Sequence, residues 1–192
     1  MGNASRKHHR NKTDNLSICT SGNDDNSSQT DSICSHIKYI GGRPYFEEEI
    51  SSYVLPTDWE ESDRIQMEHF AMKHAFGGNY AAPLSEIIKP GSNYLLNTYE
   101  STYETQEFPD ANVYGIDIAS TFPASIKPQN CHFQTCNIID RFPFKDEEFD
   151  YVFMRYMIFA LKDHQWIHVL NEIKRILKPG GVFECVDRDV LR

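Results

Sequence analysis

The sequence lacks the cysteine patterns that staple small secreted domains or hold zinc. Its 192 residues include an odd number of cysteines and no Cys-x-x-Cys pair; the cysteines are Cys19, Cys34, Cys131, Cys136 and Cys185. No cysteine–histidine group has the spacing of zinc ligands, and His164 and His168 have no visible third ligand. We therefore expect reduced thiols, no metal site and an intracellular location, in the cytoplasm or nucleus.

Long apolar runs and a basic surplus are also missing. No stretch is long enough for a transmembrane helix, and the amino terminus has no apolar signal-peptide core. With 28 acidic and 19 basic residues, the net charge of −9 argues against general nucleic-acid binding. The start at Met1-Gly2 is similar to an N-myristoylation site, but Arg6 stands where the pattern has Ser or Thr. A solvated tail is therefore favoured over myristoyl-mediated membrane association.

Two segments differ in composition. Residues 1–36 are rich in Ser, Asn, Asp and Thr. They predict a disordered polar tail, because they cannot bury enough apolar surface to offset the entropy of ordering. Residues 37–192 predict one domain, in which Thr57 and Glu60 form a capping box that begins a helix. This helix is expected to end at Gly77-Gly78, with one face formed by Ile65, His69, Met72 and Phe76.

Strands and helices alternate in the second half of the chain. Strands are predicted over residues 112–116, 131–135, 150–154 and 182–186, and a helix over residues 163–177. Lys178-Pro179-Gly180-Gly181 predicts a turn. Strands separated by crossovers indicate an α/β fold with a parallel sheet.

Four motifs in this order carry a family resemblance: Y-G-I-D (114–117), F-Q-T-C-N-I-I-D-R-F-P-F (133–144), F-D-Y-V-F-M-R (149–155) and L-K-P-G-G-V-F-E (177–184). Together they resemble the second half of a class I S-adenosylmethionine (SAM) dependent methyltransferase core. Upstream, Y-x-L-P-x-D (53–58) and G-G-N-Y-A-A-P (77–83) resemble the lead-in of fungal methyltransferases related to regulators of secondary metabolism. The resemblance covers residues 45–188 and implies a Rossmann-like sheet.

The resemblance also implies a cofactor site at the carboxyl ends of the strands. Asp117 would accept both ribose hydroxyls and Ile118 would touch the adenine. Asn137 would accept the adenine amino group, with Ile138 packing beside it. Arg155 would face the cofactor or substrate cleft. Two alternatives stay open: Asp117 as a turn residue, and Arg155 as a structural ion-pair partner.

Relatives place a first strand and a glycine-rich loop before Tyr114, whereas residues 92–113 contain no glycine. Glycine matters there because the backbone must bend sharply beside the methionine part of SAM. Residues 93–103 resemble the helix after that loop, as though strand and loop were excised between Gly91 and Ser92; alternatively, residues 94–96 form a substitute strand. The chain also stops at Arg192, whereas relatives continue through two more strands. The fold is therefore expected to be incomplete, with strand 1 and the carboxyl-terminal strands missing or altered.

Three functions follow from these features. The first is a methyltransferase-family protein with impaired or absent SAM binding, such as a splice or gene-model product. The second is an active methyltransferase in which residues 94–96 replace strand 1. The third is a non-catalytic protein-interaction module with an unpaired sheet edge. A nicotinamide dehydrogenase fits less well, since L-K-P-G-G does not suit it. The sequence identifies neither a methyl acceptor nor a general base.

Overall fold

A computed structural model describes residues 36–96, 107–119, 122 and 127–187. The predicted tail, apart from His36, lies outside the described residues. The strands are β1 (Ile37–Ile40), β2 (Arg43–Phe46), β3 (Asn93–Leu96), β4 (Asn112–Asp117), β5 (Cys131–Thr135), β6 (Phe149–Arg155) and β7 (Leu177–Val186). The helices are α1 (Trp59–Phe76), α2 (Leu84–Ile87) and α3 (Asp163–Ile176), with a 3₁₀ turn at Met157–Phe159. No helix in these described ranges is long and apolar enough to cross a membrane.

The five strands β3 to β7 form one parallel sheet, in the order β5-β4-β3-β6-β7, and β1 and β2 form a separate antiparallel hairpin. This mixed α/β architecture confirms the predicted Rossmann-like fold class. Within the described residues, β7 pairs only with β6.

Strand β3 corrects part of the sequence interpretation. Residues 93–103 were expected to resemble a helix, but Asn93–Leu96 is the central strand, paired with β4 on one side and β6 on the other. The alternative interpretation, a substitute strand at residues 94–96, is confirmed. The physical reason is burial: Tyr94, Leu95 and Leu96 are each at most 1% exposed, and a strand places them on both faces of the sheet while satisfying the backbone of both neighbours.

The core lies on both faces of the sheet. On one face, Leu95 packs in a cluster with Val152 of β6 and with Val169 and Ile173 of α3. On the other, Tyr94 and Leu96 join a cluster that includes residues from α2, β4 and β6: Leu84, Val113, Tyr151 and Phe153. This two-sided burial fixes where the strand ends lie.

The helix α1 begins one residue later than its sequence suggests. Asp58, not Thr57, is the N-cap, and its Oδ1 accepts a hydrogen bond from the Glu61 amide at 3.0 Å. Arg43 of β2 donates to both Asp58 oxygens at 2.6 Å and so fixes the carboxylate. The predicted end at Gly77 is confirmed by its left-handed φ of 72°.

The predicted Lys178–Gly181 turn is a bulge inside β7. Leu177 pairs with Phe149 and Val182 with Tyr151, so residues 178–181 all lie opposite Asp150. Glycine suits this bulge, because a Cβ at Gly181 would lie only 3.0 Å from the Lys178 carbonyl oxygen and its neighbours would have to shift.

Candidate functional site

The carboxyl ends of parallel strands meet at one edge of the sheet, and a cavity of about 160 Å³ lies there. Its wall includes all the residues that the sequence singled out: Asp117, Ile118, Asn137, Ile138 and Arg155. They come from the ends of β4 and β6 and from the segment after β5. The structure thus brings these residues together, and their roles toward a cofactor stay predictions.

The described part of the central strand ends before this edge. Leu96, the last residue of β3, pairs with Gly115 of β4 and Phe153 of β6. Asp117 and Arg155 therefore lie two residues further along their strands, or about 7 Å at the rise of a β-strand. Residues 97–106, which follow β3, lie outside the described ranges.

Asp117 is half-buried at the end of β4, and its Oδ1 accepts a hydrogen bond from the Ala119 amide at 2.9 Å. This bond makes Asp117 a turn residue, as one sequence alternative had it, and occupies only one of the acceptor positions of the carboxylate. Burial raises the pKa of the Asp117 carboxyl to about 6, although the backbone amides of Ala119 and Ile118 oppose the shift. The carboxylate is therefore ionised at neutral pH at some cost to the fold.

Asn137 ties the segment before α1 to the sheet. Its Nδ2 donates to the Ile50 carbonyl at 2.8 Å, and its Oδ1 accepts from the Ile139 amide at 3.3 Å. These bonds fix which end of the amide is the acceptor, and the Oδ1 retains a second lone pair. Ile138 is half-buried and packs against the core cluster on the α3 face.

Arg155 is 3% exposed, and its Nη2 lies 2.7 Å from Nδ1 of His69 on α1. Burial, followed by the charges of Arg155 and Lys73, lowers the pKa of His69 to about 4. The imidazole is therefore neutral at pH 7, so Nδ1 accepts the hydrogen bond and the ring proton is on Nε2. This contact joins α1 to β6, and it supports a packing role for His69.

The segment before α1 forms part of the cavity wall. Its sequence predicted only a lead-in to the helix. The Tyr53 hydroxyl donates to Glu61 Oε1 at 2.7 Å, and Arg64 donates to both Glu61 oxygens at 2.7 and 2.8 Å. Tyr53 and Glu61 both line the cavity. The motif Y-x-L-P-x-D contained the signal, since its tyrosine and its aspartate both line the cavity.

Two further wall residues, Thr57 and Tyr156, were not identified from the sequence. Among the described residues, neither Thr57 Oγ1 nor the Tyr156 hydroxyl has a hydrogen-bond partner, and both oxygens are buried. Each such group costs about 1–3 kcal/mol. Tyr156 also adopts φ 60° and ψ 33°, a left-handed conformation that a non-glycine residue adopts at a cost of about 1–3 kcal/mol.

Comparison with known proteins agrees with the motif pattern. A family profile described as a methyltransferase domain matches residues 100–181. The methyltransferase str3 of Strobilurus tenacellus is 35% identical over 141 residues, covering 72% of this chain and 49% of that protein. The secondary metabolism regulator laeA of Coprinopsis cinerea is 29% identical over 150 residues, covering 71% of this chain and 36% of that protein. The chain thus spans about a third to a half of the length of these relatives.

Among solved structures, the complex of DhpI with SAH is similar, with 21% identity and a TM-score of 0.48 over 66% of this chain and 62% of that chain. The domain match and the fungal relatives accord with the four ordered motifs and with the parallel sheet of the structure. The chain belongs to the class I SAM-dependent methyltransferase family.

Proposed function

We propose that this protein binds the adenosyl half of SAM weakly and gives little support to the methionine half, so that cofactor use is impaired. The observation that carries the proposal is the contrast between the cavity and the sequence around the central strand. The predicted nucleoside residues line one cavity, whereas residues 92–113, from the start of β3 into β4, contain no glycine.

The residues present fit the nucleoside half. Asp117 carries a carboxylate with acceptor positions beyond its own turn, which suits a ribose diol. Asn137 has an amide oxygen whose orientation is held by Ile50 and Ile139, which suits an exocyclic amino group. Ile118 and Ile138 add apolar side chains to the cavity wall. These features support binding of adenosine itself.

The methionine half fits less well. In the family that this chain resembles, a glycine-rich loop follows the central strand, so that the backbone lies close to the methionine part without a Cβ in the way. Here every residue from 92 to 113 carries a Cβ. SAM supplies an activated methyl group when bound, and direct transfer depends mainly on the position of the sulfonium. A loosely held sulfonium therefore gives slow transfer or none.

Calorimetric titration of adenosine tests the nucleoside half. We expect weak binding at pH 7, with a dissociation constant on the order of 0.1–1 mM. Asp117→Asn is expected to weaken it about tenfold or more, because hydrogen bonds to a charged acceptor are lost. Since the pKa of Asp117 is about 6, lowering the pH from 7 to 5 should protonate most of the carboxyl and weaken adenosine binding about tenfold.

The matched control is Asp110→Asn, which changes an exposed aspartate in the turn before β4 and should leave adenosine binding unchanged. Equal losses in the two variants, or affinity that does not depend on Asp117, would contradict the proposal.

A second candidate function, a non-catalytic protein-interaction module, is favoured by three large apolar side chains of α1 that are exposed. Trp59, Met67 and Phe70 are 54%, 75% and 52% exposed on that helix, and apolar patches of this kind are typical of interaction surfaces. A module without a ligand role is expected to bind no adenosine at either pH, so the same titration distinguishes the two functions.

A further inference from the structure

Two of the residues that line the cavity carry buried hydroxyls, and these hydroxyls indicate a place where a bound molecule completes the hydrogen bonding. Thr57 Oγ1 and the Tyr156 hydroxyl have no partner among the described residues, and both residues line the cavity. Buried polar side-chain atoms are nearly always satisfied in native proteins, and the exceptions concentrate at functional sites. Two exceptions at the same cavity therefore point to a ligand.

The hydroxyl of Thr57 is available because the neighbouring residue caps the helix. Asp58 accepts the hydrogen bond from Glu61 that a capping threonine would accept. The Thr57 amide donates to the Pro44 carbonyl at 2.8 Å, so the β1–β2 hairpin holds this residue at the cavity wall. Thr57 is 6% exposed, and no group in the described part of the chain forms a hydrogen bond with its hydroxyl.

The Tyr156 hydroxyl is set up as a hydrogen-bond donor. Burial raises the pKa of Tyr156, so the hydroxyl keeps its proton at neutral pH. The guanidinium of Arg155 lies 5.2 Å from the Tyr156 ring, and the positive charges of Arg155 and Arg64 act on this hydroxyl against the negative charge of Asp187. A protonated hydroxyl in these surroundings donates its hydrogen bond to a partner oxygen, such as that of a carbonyl or carboxylate group.

These two residues lie at a different end of the cavity from Asp117. Tyr156 follows β6 and Asp117 ends β4, and β3 lies between those strands. Two strand spacings separate the ends by about 10 Å. Apolar side chains predominate in the cavity wall and include Phe46, Pro56, Ile65, Met157 and Ala160, although Asp58, Glu61 and Arg155 also line it. The whole cavity, with its Asp117 end, has a volume of about 160 Å³, so the space near Tyr156 suits only a small molecule.

We infer that Thr57 and Tyr156 form a subsite for a compact, largely apolar molecule that presents a carbonyl or carboxylate oxygen to their hydroxyls. The inference rests on the proposed function, because the adenosyl group at the Asp117 end leaves the β6 end for a second ligand. The chemical class of the second ligand is therefore a small, largely apolar molecule, about the size of one ring, with an oxygen that accepts hydrogen bonds.

Titration of the full chain with three ring-sized probes, followed by ligand-observed NMR, tests the subsite. Acetophenone presents a carbonyl, benzoate presents a carboxylate, and ethylbenzene has a similar shape without oxygen. At least one oxygen probe is expected to bind about tenfold more tightly than ethylbenzene. Tighter binding of acetophenone assigns a neutral ligand, and tighter binding of benzoate an anionic one. Ethylbenzene binding as tightly as both oxygen probes, or no binding by either oxygen probe, overturns the inference.

Thr57→Val and Tyr156→Phe each remove one hydroxyl and keep the shape of the side chain. Both variants are expected to lose most of the preference for the oxygen probe over ethylbenzene. They should also raise the midpoint of thermal unfolding, since each removes a buried hydroxyl without a partner. The matched control is Tyr53→Phe, which should lower the midpoint because the Tyr53 hydroxyl donates to Glu61.

Two results in the variants count against the subsite: an unchanged preference for the oxygen probe, or a midpoint that falls in Tyr156→Phe as far as in Tyr53→Phe. Adenosine titrated into the wild-type chain in parallel separates the two proposals. Adenosine binding without oxygen-probe binding overturns only the subsite. Oxygen-probe binding without adenosine binding contradicts only the proposed function.

Discussion

At the scale of single residues, Asp117 combines a proposed role in binding with a cost to the fold. Its folded pKa of about 6 lies above the ordinary value of 3.8 because burial disfavours the charged carboxylate. The folded state therefore binds this proton more tightly than the unfolded state does. The protonated Asp117 carboxyl therefore contributes to the free energy of unfolding below pH 4. This contribution is lost as the pH rises toward 6.

Asp117→Asn should therefore stabilise the fold at high pH. The amide keeps an oxygen for the Ala119 hydrogen bond and carries no charge. At pH 8 we expect the free energy of unfolding to rise by about 1–3 kcal/mol relative to wild type, with little difference at pH 4. Urea unfolding of both proteins at the two pH values measures this. A variant that is less stable than wild type at pH 8 would show that the carboxylate is not penalised by burial.

Residues at strand ends could be predicted from the sequence, because each follows a short apolar run and precedes a turn. The positions of Asp117 and Arg155 at strand ends could be predicted for that reason, and both residues line the cavity. Thr57 could not be predicted as a wall residue. Thr57 and Asp58 are both good N-caps, and the choice depends on Arg43, which is distant in sequence and reaches Asp58 only in the folded hairpin. Tyr156 was missed because a sequence carries no signal for a left-handed tyrosine.

At the scale of elements, β3 shows where local patterns fail. A short apolar run such as residues 94–96 is equally consistent with a strand and with a buried turn of helix. The sheet decides, because β4 and β6 both offer unpaired backbone groups to whatever lies between them. The longer α3 was predicted to within one residue, since its helical periodicity extends over several turns.

The central position of β3 gives a direct stability test. Leu95 is 1% exposed and packs against α3, so Leu95→Ala should lower the free energy of unfolding by about 2–5 kcal/mol. The matched control is Leu170→Ala on α3, where the side chain is 44% exposed and the loss should be well under about 1 kcal/mol. Chemical denaturation measures both. Equal, small losses in the two variants would mean that residues 93–96 do not occupy the centre of the sheet.

At the scale of the whole molecule, the chain carries a recognisable family core in which the sequence around the central strand contains no glycine. The parallel sheet has β3 in the middle, between β4 and β6. Asp117 and Tyr156 both line the cavity at its carboxyl edge, and the proposed nucleoside site is near Asp117. Relatives have a glycine-rich loop that supports the methionine part of the cofactor, whereas residues 92–113 of this sequence have a side chain at every position. The methionine part of SAM should therefore add little to the affinity of the adenosine part.

The most direct test compares the dissociation constants of SAM and adenosine for the 192-residue chain under identical conditions by calorimetry. We expect the two constants to agree within about threefold, which is less than about 1 kcal/mol. SAM that binds about a hundredfold more tightly than adenosine would contradict this expectation, since a gain of that size requires a well-formed site for the methionine part.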